Sequence, residues 1–205
     1  MEYIYNKGTN PTKPTLLLLH GTGGDENDLL SVAKKIDEEA SILSLRGNVL
    51  ENGMPRFFKR LAEGVFDEED LVFRTKELNE LLDLFAQKYE FNRENIVAIG
   101  YSNGANIAAS LLFHYQRALK GAILHHPMVP IRGIKLPDLS EQLVFITAGT
   151  NDPICSPQES KELQSLLEEA GAKVEMHWEN NGHQLTMSEV NAARNWFQKS
   201  ILSQS

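Results

Sequence analysis

Short apolar runs alternate with segments of helical periodicity along almost the whole chain, and this alternation limits the fold more than any other feature. Most of the runs are continuously apolar, which is typical of parallel strands covered on both faces. Tyr3–Tyr5 can add a strand at the edge. The candidate strands are Thr15–His20, Ser41–Leu45, Ile96–Tyr101, Gly121–His125, Leu143–Ala148 and Lys173–Trp178.

The segments between these runs carry apolar residues at spacings of three and four, the period of an amphipathic helix. Ser156-Pro157 and Thr186 each begin a sequence with a glutamate three residues after the cap, which predicts a helix start. Alternating strands and helices predict an α/β fold with a mostly parallel sheet and helices on both faces. No repeat or linker interrupts the pattern, so we expect one domain over residues 1–205.

Residues 46–66 do not fit the pattern of short connections. A connection of this length is usually functional or disordered, and its many apolar side chains argue against disorder. We interpret it as a cover that packs over the sheet edge and helps to wall a pocket, too short to be a large lid domain. A short extra helix that completes the core is the alternative. The candidate substrate-binding residues are Met54, Phe57 and Phe58 in this segment, with Met128 and Ile154 elsewhere.

Composition narrows the function classes. The 205 residues include 20 basic and 28 acidic side chains, a net charge of −8 that disfavours nucleic acid and anionic membranes as partners. The longest apolar run near the start, Leu16–Leu19, is too short for a signal peptide or a membrane helix. We therefore expect a cytoplasmic location. The single cysteine, Cys155, excludes an internal disulfide framework, and we expect it to be a small packed side chain.

Gly100-Tyr101-Ser102-Asn103-Gly104 follows the apolar run Ile96–Ile99 and precedes a helix of small residues. This is the context of a nucleophile elbow, in which a sharp strand-to-helix turn exposes a serine hydroxyl. The helix N-terminus would favour a developing oxyanion. Ser102 is therefore the candidate nucleophile, and a plain glycine-rich turn is the alternative.

A serine nucleophile needs a base, and the base needs an acidic group to orient it. In an elbow protein these follow in the order serine, acid, histidine. Asp152 comes just after a strand, at the same sheet edge as Ser102, whereas Asp138 precedes a strand and falls at the other edge. His183 lies in a turn after the last strand, whereas His177 lies within that strand. We therefore expect Asp152 and His183 to complete the site.

The oxyanion of such a reaction needs two N–H donors. We expect the backbone N–H groups of Asn103 and of Thr22, the latter in the glycine-rich turn His20–Gly24. A plain turn is again the alternative. That turn lacks the Gly-Lys-Ser or Gly-Lys-Thr of a phosphate loop, and Glu26 stands where a dinucleotide motif needs its third glycine.

His125 and His126 end another strand, but adjacent side chains on a strand point in different directions. They cannot share one metal in the manner of a helical pair four residues apart. The hypothesis requires neither a metal nor an organic cofactor.

Together these motifs resemble the serine-dependent α/β-hydrolase superfamily, and more narrowly the small phospholipase/carboxylesterase family that includes acyl-protein thioesterases. The stretch Arg46–Gly53 with Arg56–Phe58 is similar to a bacterial subgroup that includes hydrolases linked to hydroquinone resistance. The segments that carry the family resemblance are His20–Gly24, Arg46-Gly47, Gly100–Gly104, Gly149–Asp152 and Gly182-His183.

The resemblance implies a compact α/β-hydrolase fold, often a homodimer, and carboxylesterase activity on small or acyl-chain esters. It assigns the nucleophile, acid and base to Ser102, Asp152 and His183, and the oxyanion donors to Thr22 and Asn103. Many relatives have leucine in place of Thr22 and glutamine in place of Asn103, so acyl-chain preference does not transfer. The relatives called dienelactone hydrolases use a cysteine nucleophile, and this chain has serine.

The resulting hypothesis is a serine carboxylesterase that forms an acyl-enzyme and prefers short acyl groups. One alternative is a hydrolase of lactones or of ring-fission products derived from quinones. The other is a catalytically silent binding module that keeps the fold.

Overall fold

A computed structural model describes residues 1–204, so Ser205, the last residue of the predicted domain, lies outside the described part. Its strands are β1 (Tyr3–Asn6), β2 (Thr15–Leu19), β3 (Ser41–Leu45), β4 (Val49–Glu51), β5 (Met54–Arg56), β6 (Arg60–Ala62), β7 (Val65–Phe66), β8 (Ile96–Tyr101), β9 (Gly121–His125), β10 (Leu143–Gly149) and β11 (Lys173–Glu179). Its α-helices are α1 (Leu30–Ile36), α2 (Glu68–Tyr89), α3 (Asn103–His114), α4 (Pro157–Glu169) and α5 (Met187–Trp196). A π-helical segment, Phe197–Ile201, and a 3₁₀ turn, Leu202–Gln204, follow α5.

Seven strands form the central sheet in the order β1-β3-β2-β8-β9-β10-β11. Only β1 runs antiparallel to its neighbour, and the other six strands are parallel. The fold class predicted from the sequence is confirmed. Across the described residues, no helix is both long enough and apolar enough to span a membrane.

The four leucines of β2 show how the sheet is buried on both faces. Successive side chains of a strand point to opposite faces. Leu17 and Leu19 pack into one apolar cluster with residues of α2, α3 and α4, whereas Leu16 and Leu18 pack into another with residues of α1 and α5. All four leucines are at most 1% exposed. This double burial explains the continuously apolar runs of the sequence.

The two predicted helix starts lie where the caps suggested, but only one is a complete capping box. Thr186 accepts from the N–H of Glu189, whose carboxylate accepts in turn from the N–H of Thr186. Ser156 accepts from the N–H of Glu159, but the Glu159 carboxylate binds Val129 N–H and Arg132 instead. Glu159 therefore ties α4 to the loop after β9.

Residues 46–66 form two small hairpins, β4 with β5 and β6 with β7. Asn52 and Gly53 join β4 to β5 with φ angles of 51° and 79°, the left-handed pair that a two-residue hairpin turn requires. The alternative of an extra helix is therefore wrong. The segment does cover the core, because Phe57 and Phe58 between the hairpins are 2% and 0% exposed.

Candidate active site

Ser102 stands at the carboxyl end of β8, where the chain turns sharply into α3. Its φ of 51° and ψ of −113° are strained for a residue with a side chain. The elbow needs both flanking glycines: a Cβ on Gly104 would lie 1.9 Å from the Leu19 carbonyl oxygen, and one on Gly100 would lie 2.7 Å from Ala105 backbone atoms. Close packing of α3 against β2 and β8 thus fixes the position of the hydroxyl.

The structure brings Ser102, His183 and Asp152 into one hydrogen-bonded chain. Ser102 Oγ lies 2.9 Å from His183 Nε2, and His183 Nδ1 lies 2.7 Å from Asp152 Oδ2. The three residues follow β8, β11 and β10, whose carboxyl ends meet at one edge of the sheet. This is the geometry of a nucleophile, a base and an orienting carboxylate.

Backbone contacts hold the last two members in place. Asp152 Oδ1 accepts from the N–H groups of Ile154 and Cys155 at 2.8 and 2.9 Å, which leaves Oδ2 to the imidazole. Tyr101, inside the elbow, donates its hydroxyl to the His183 carbonyl at 2.6 Å. Burial raises the pKa of Tyr101 to about 12, so it remains a donor at neutral pH. The loop that carries His183 is therefore tied to the strand that leads into Ser102.

A second histidine, His126, binds the same aspartate from the buried side. Its Nδ1 lies 2.9 Å from Asp152 Oδ2, and its Nε2 lies 2.6 Å from Glu189 Oε1. All three side chains are 0% exposed in these contacts. An ionised carboxylate has no proton to donate, so an imidazole between two carboxylates carries hydrogen on both nitrogens. The geometry therefore describes a buried imidazolium between Asp152 and Glu189.

The pKa shifts agree with this charge arrangement. Burial alone would lower the pKa of His126, but the contacts with Glu189 and Asp152 outweigh it and raise that pKa above its usual range. Burial alone would raise the pKa of Glu189, but His126 and the Thr186 N–H lower it to about 2. The pKa of Asp152 is also lowered: burial opposes this, and hydrogen bonds from Cys155, His183, Ile154 and His126 prevail. Both carboxylates stay ionised at neutral pH.

The neighbouring His125 is neutral. Its Nδ1 lies 2.7 Å from Thr147 Oγ1, and full burial lowers its pKa to about 4. Its side chain points away from that of His126, and it contacts the Ser102 site through its backbone, where its carbonyl accepts from the Ser102 N–H at 2.9 Å.

Nitrogen and oxygen atoms of His126, Asp152 and His183 lie within 4.8 Å of one another, a spacing that a metal ion could also use. Hydrogen bonds already occupy these atoms, and each imidazole has its second nitrogen engaged, with Glu189 or with Ser102. A metal would have to displace the protons that join the groups. The arrangement is therefore suited to proton transfer.

Thr22 and Asn103, the candidate oxyanion donors, line the same cavity as Ser102. In the part of the chain that the structure describes, no backbone carbonyl accepts from the N–H of either residue. Asn103 Oδ1 accepts from the Phe57 N–H at 2.7 Å, and the Pro55 carbonyl accepts from the Gly23 N–H at 2.9 Å. Residues of the hairpin segment are thus hydrogen-bonded to both turns, and the backbone N–H groups of Thr22 and Asn103 in those turns remain available to a ligand.

The imidazole of His20 hydrogen-bonds to the turn that carries Thr22. Its Nδ1 lies 2.6 Å from the Gly21 carbonyl, and its Nε2 accepts from the Gly47 N–H at 3.0 Å. One nitrogen must donate and the other must accept, so the ring is neutral with hydrogen on Nδ1. Burial lowers the pKa of His20, in agreement with that state. The glycine-rich turn and the segment after β3 are therefore joined by one imidazole.

A cavity of about 270 Å³ opens beside Ser102, and His183, Thr22 and Asn103 line it. Of the five candidate substrate-binding residues, Met128 and Ile154 line the cavity. The structure puts the other three elsewhere: Phe57 and Phe58 point into the core, and Met54 lies over Gly23. The hairpins turn these aromatic side chains inward, which accounts for the difference. Cys155 is buried as expected and also lines the cavity.

Four residues of the site are absent from the residues predicted for it: Tyr101, His126, Glu189 and Arg56. Arg56 ends β5 and lines the cavity. No local pattern marks His126 or Glu189, because their contact spans 63 positions of the chain. Arg56 carries a weak signal, since a charged residue stands among apolar ones in a segment expected to wall a pocket.

Comparison with known proteins identifies the family of the chain. The family model described as phospholipase/carboxylesterase matches residues 3–201. The chain belongs to this family. It has the α/β-hydrolase fold, with no large additional domain within the described residues, and it is a hydrolase.

Three relatives illustrate the similarity. A carboxylesterase of Bacillus cereus of known structure is 69% identical, with a TM-score of 0.96 over 97% of this chain and 94% of that one. MhqD of Bacillus subtilis, a protein named as a hydrolase, is 59% identical over 98% of this chain and 100% of its own length. YahD, solved with malic acid, is 34% identical, with a TM-score of 0.93 over 97% of this chain and 98% of that one.

Proposed function

We propose that the protein is a serine carboxylesterase that hydrolyses small or short-acyl carboxylic esters. Ser102 would be the nucleophile, His183 the general base and acid, and Asp152 the group that orients the imidazole. The observation that carries the proposal is the continuous hydrogen-bonded chain from Ser102 Oγ through His183 to Asp152, at the mouth of the cavity. Membership of the carboxylesterase family supports an enzyme over a silent binding module.

In the first half of the reaction, Ser102 Oγ attacks the carbonyl carbon while its proton moves to His183 Nε2. Asp152 stabilises the imidazolium that forms. The carbonyl oxygen becomes an oxyanion and accepts hydrogen bonds from the N–H groups of Thr22 and Asn103. The bond to the leaving alcohol then breaks, His183 gives its proton to the alcohol oxygen, and an acyl-Ser102 ester remains.

In the second half, a water molecule takes the place of the alcohol. His183 removes a proton from this water, and the resulting hydroxide attacks the acyl-Ser102 carbonyl through the same oxyanion contacts. The bond to Ser102 Oγ breaks, the proton returns to the serine, and the carboxylic acid leaves. Every proton in the cycle passes through His183, so the scheme needs no metal and no organic cofactor.

The cavity favours small substrates. Its volume of about 270 Å³ lies just below the range of about 300–1,000 Å³ that is typical of ligand pockets. The malic acid found with YahD is a small polar acid, which supports a similar ligand size here. A lactone or a thioester would undergo the same attack, so lactones, including ring-fission products, are the second candidate class. The net charge of −8 supports a small molecule as partner and disfavours nucleic acid and anionic membranes.

Two measurements test the proposal. Ser102→Ala should lower turnover of 4-nitrophenyl acetate by about 10⁴- to 10⁶-fold, the scale for loss of a triad nucleophile. A fluorophosphonate probe should label the wild-type protein on Ser102 only. A variant that keeps the wild-type rate, or an unlabelled Ser102, would refute the assignment. A series of 4-nitrophenyl esters should show faster turnover of acetate or butyrate than of long-chain esters.

A further inference from the structure

Arg56 is the one arginine of the described chain that is both buried and without an ion pair. It is 2% exposed, and no carboxylate among residues 1–204 lies within ion-pair distance of it. Arg194, on α5, is exposed. The arginines that do form ion pairs are Arg46, Arg60, Arg74, Arg93, Arg117 and Arg132. A buried cation with no counter-charge is costly, so it calls for a functional explanation.

The hydrogen bonds of Arg56 leave part of its guanidinium free. Nε donates to the Phe58 carbonyl at 3.1 Å, and Nη1 donates to Thr22 Oγ1 at 2.5 Å. Nη2 donates to no group of the described residues, and Arg56 lines the cavity that contains Ser102. A guanidinium has five N–H donors in a planar fork suited to a carboxylate. Two are used, so the remaining donors are free to bind a ligand.

The charged groups around Arg56 do not neutralise it. Glu51 attracts Arg56 from beyond ion-pair distance, and its carboxylate is held by Arg60, which also lines the cavity, through contacts of 2.8–3.2 Å. Glu63 lines the same cavity, and its charge helps to raise the pKa of Arg60. Burial lowers the pKa of Arg56 to about 10, so the guanidinium keeps its charge at neutral pH. Asn103 lines the same cavity, and its Nδ2 donor is also buried without a partner in the described residues.

We propose that Arg56 binds a carboxylate of the substrate, so that the preferred esters are those that carry a second, ionised carboxyl group. The inference rests on the proposed function and specifies its substrate class. Because Arg56 contacts Thr22, a carboxylate held there would lie near the oxyanion side of the site. Binding would form a charge-assisted, bidentate contact in a largely buried setting, where such contacts are strongest.

A matched pair of esters tests the proposal. Monomethyl glutarate and methyl pentanoate both release methanol, and they differ only by a carboxylate in place of a terminal methyl group. On the alcohol side, 3-acetoxypropanoate and propyl acetate form the corresponding pair. Hydrogen bonds to charged groups contribute about 1.5–3 kcal/mol, so in at least one pair kcat/KM should favour the acidic ester by roughly 10- to 100-fold. Equal or lower kcat/KM for the acidic ester in both pairs would overturn the proposal.

Variants then assign the preference to Arg56. In Arg56→Gln the ratio of kcat/KM for acidic over neutral ester should fall by about 10- to 100-fold. The double variant Glu51→Gln with Arg60→Gln is the matched control, because it removes a paired charge of the same cavity wall without freeing a carboxylate for Arg56, and there the ratio should stay within about threefold. If Arg56→Gln slows both esters by the same factor, Arg56 only holds the Thr22 turn and the proposal fails.

A binding measurement that needs no variant supplements the kinetics, since Arg56→Gln can fail to fold. Glutarate should slow fluorophosphonate labelling of wild-type Ser102 at concentrations where 1,5-pentanediol has no effect. Protection by neither compound, or by both equally, would contradict a carboxylate site. The outcomes also separate the two proposals. Neutral esters cleaved in a Ser102-dependent way without an acidic preference would refute only the Arg56 inference. An unlabelled Ser102 with no ester hydrolysis would refute the proposed function itself.

Discussion

The two sides of the His183 imidazole differ in how their charges are balanced. On the buried side, Asp152 and Glu189 share the cation of His126, and every member is closed off from solvent. On the cavity side, Arg56 carries a charge that no carboxylate of the described chain pairs. The charges around the proposed base are thus balanced within the protein, whereas a cation is left unpaired where we propose that the ligand binds. Substitutions on the two sides should therefore act on different quantities.

The largest expected effect lies on the buried side at Asp152. Asp152→Asn keeps the shape of the side chain but removes the charge that orients His183 and stabilises its imidazolium. By analogy with other serine triads, kcat for 4-nitrophenyl acetate should fall by about 10⁴-fold. Steady-state kinetics at pH 7 check this, with circular dichroism as the control for folding. A loss below tenfold would mean that Asp152 does not act through His183.

His126→Asn breaks the buried network one step further from the nucleophile. Asparagine tolerates the positive φ of 54° at this position, so the substitution mainly removes the cation. Glu189 is then left buried without its partner, which should cost about 3–5 kcal/mol of unfolding free energy. Displacement of Asp152 should lower kcat by up to about 10²-fold with little change in KM.

Urea unfolding and steady-state kinetics measure both effects of His126→Asn. A change confined to KM would mean that His126 acts on ligand binding, which would contradict the division between the buried side and the cavity side of His183. Adding Glu189→Gln to His126→Asn removes the stranded charge, so the double variant should regain part of the lost stability. No recovery would mean that the two residues do not act as a pair.

The same pair gives the protein a predictable pH dependence. In the folded protein the pKa of Glu189 is lowered to about 2, compared with about 4.3 in the unfolded chain. The contribution of Glu189 to the free energy of unfolding is therefore present above about pH 4.3 and is lost as the pH falls through the folded value. The pKa of His126 is raised in the folded protein above the value of about 6.5 in the unfolded chain. The contribution of His126 to the free energy of unfolding is therefore complete below about pH 6.5 and is lost as the pH rises through the folded value. The stability difference between wild type and His126→Asn should therefore peak between about pH 4.3 and 6.5.

His125 provides a control of opposite sign. Its pKa is lowered to about 4, so between pH 4 and about 6.5 the unfolded chain binds a proton that the folded chain excludes. Its contribution to stability therefore rises with pH in that window. His125→Asn should lose less stability than wild type on acidification from pH 7 to 5. Urea midpoints at both pH values check this, and parallel slopes for wild type and both variants would contradict the assigned charge states.

The sequence was sufficient for the strands of the central sheet, for their mostly parallel arrangement and for the meeting of Ser102, Asp152 and His183 at one edge of that sheet. These features are either local or fixed by order: apolar runs mark buried strands, and the carboxyl ends of parallel strands meet at one edge. The pairing of His126 with Glu189 has no such signal. Glu189 reads as the third residue of a capping box, and it is one, because its Oε2 accepts from the Thr186 N–H at 2.6 Å. The sequence does not reveal that Oε1 also binds His126.

The hairpin segment differs from the His126 and Glu189 pair, because the sequence does contain a local signal for its structure. Asn-Gly between short runs is the strongest local indication of a two-residue hairpin turn. Strands of only three residues are too short for a visible alternation, so the segment was predicted only as a cover or a helix. Without the strand register, the inward direction of Phe57 and Phe58 and the cavity position of Arg56 could not be deduced.

The smallest expected effect tests how the cavity side is held. Gly53→Ala adds a Cβ that meets no atom within 4 Å, so its only cost is the backbone at φ 79°, about 1–2 kcal/mol for an L residue. Gly133→Ala is the matched control, with φ 78°, equally open space and no place in the cavity lining. Both variants should lose similar stability, but only Gly53→Ala should loosen the hairpin that carries Arg56. Its kcat/KM for monomethyl glutarate should fall by up to about tenfold while that for methyl pentanoate changes less. Equal effects of the two variants on both esters would show that the hairpin turn does not position the cation, and that Arg56 is held by Thr22 and Phe58 alone.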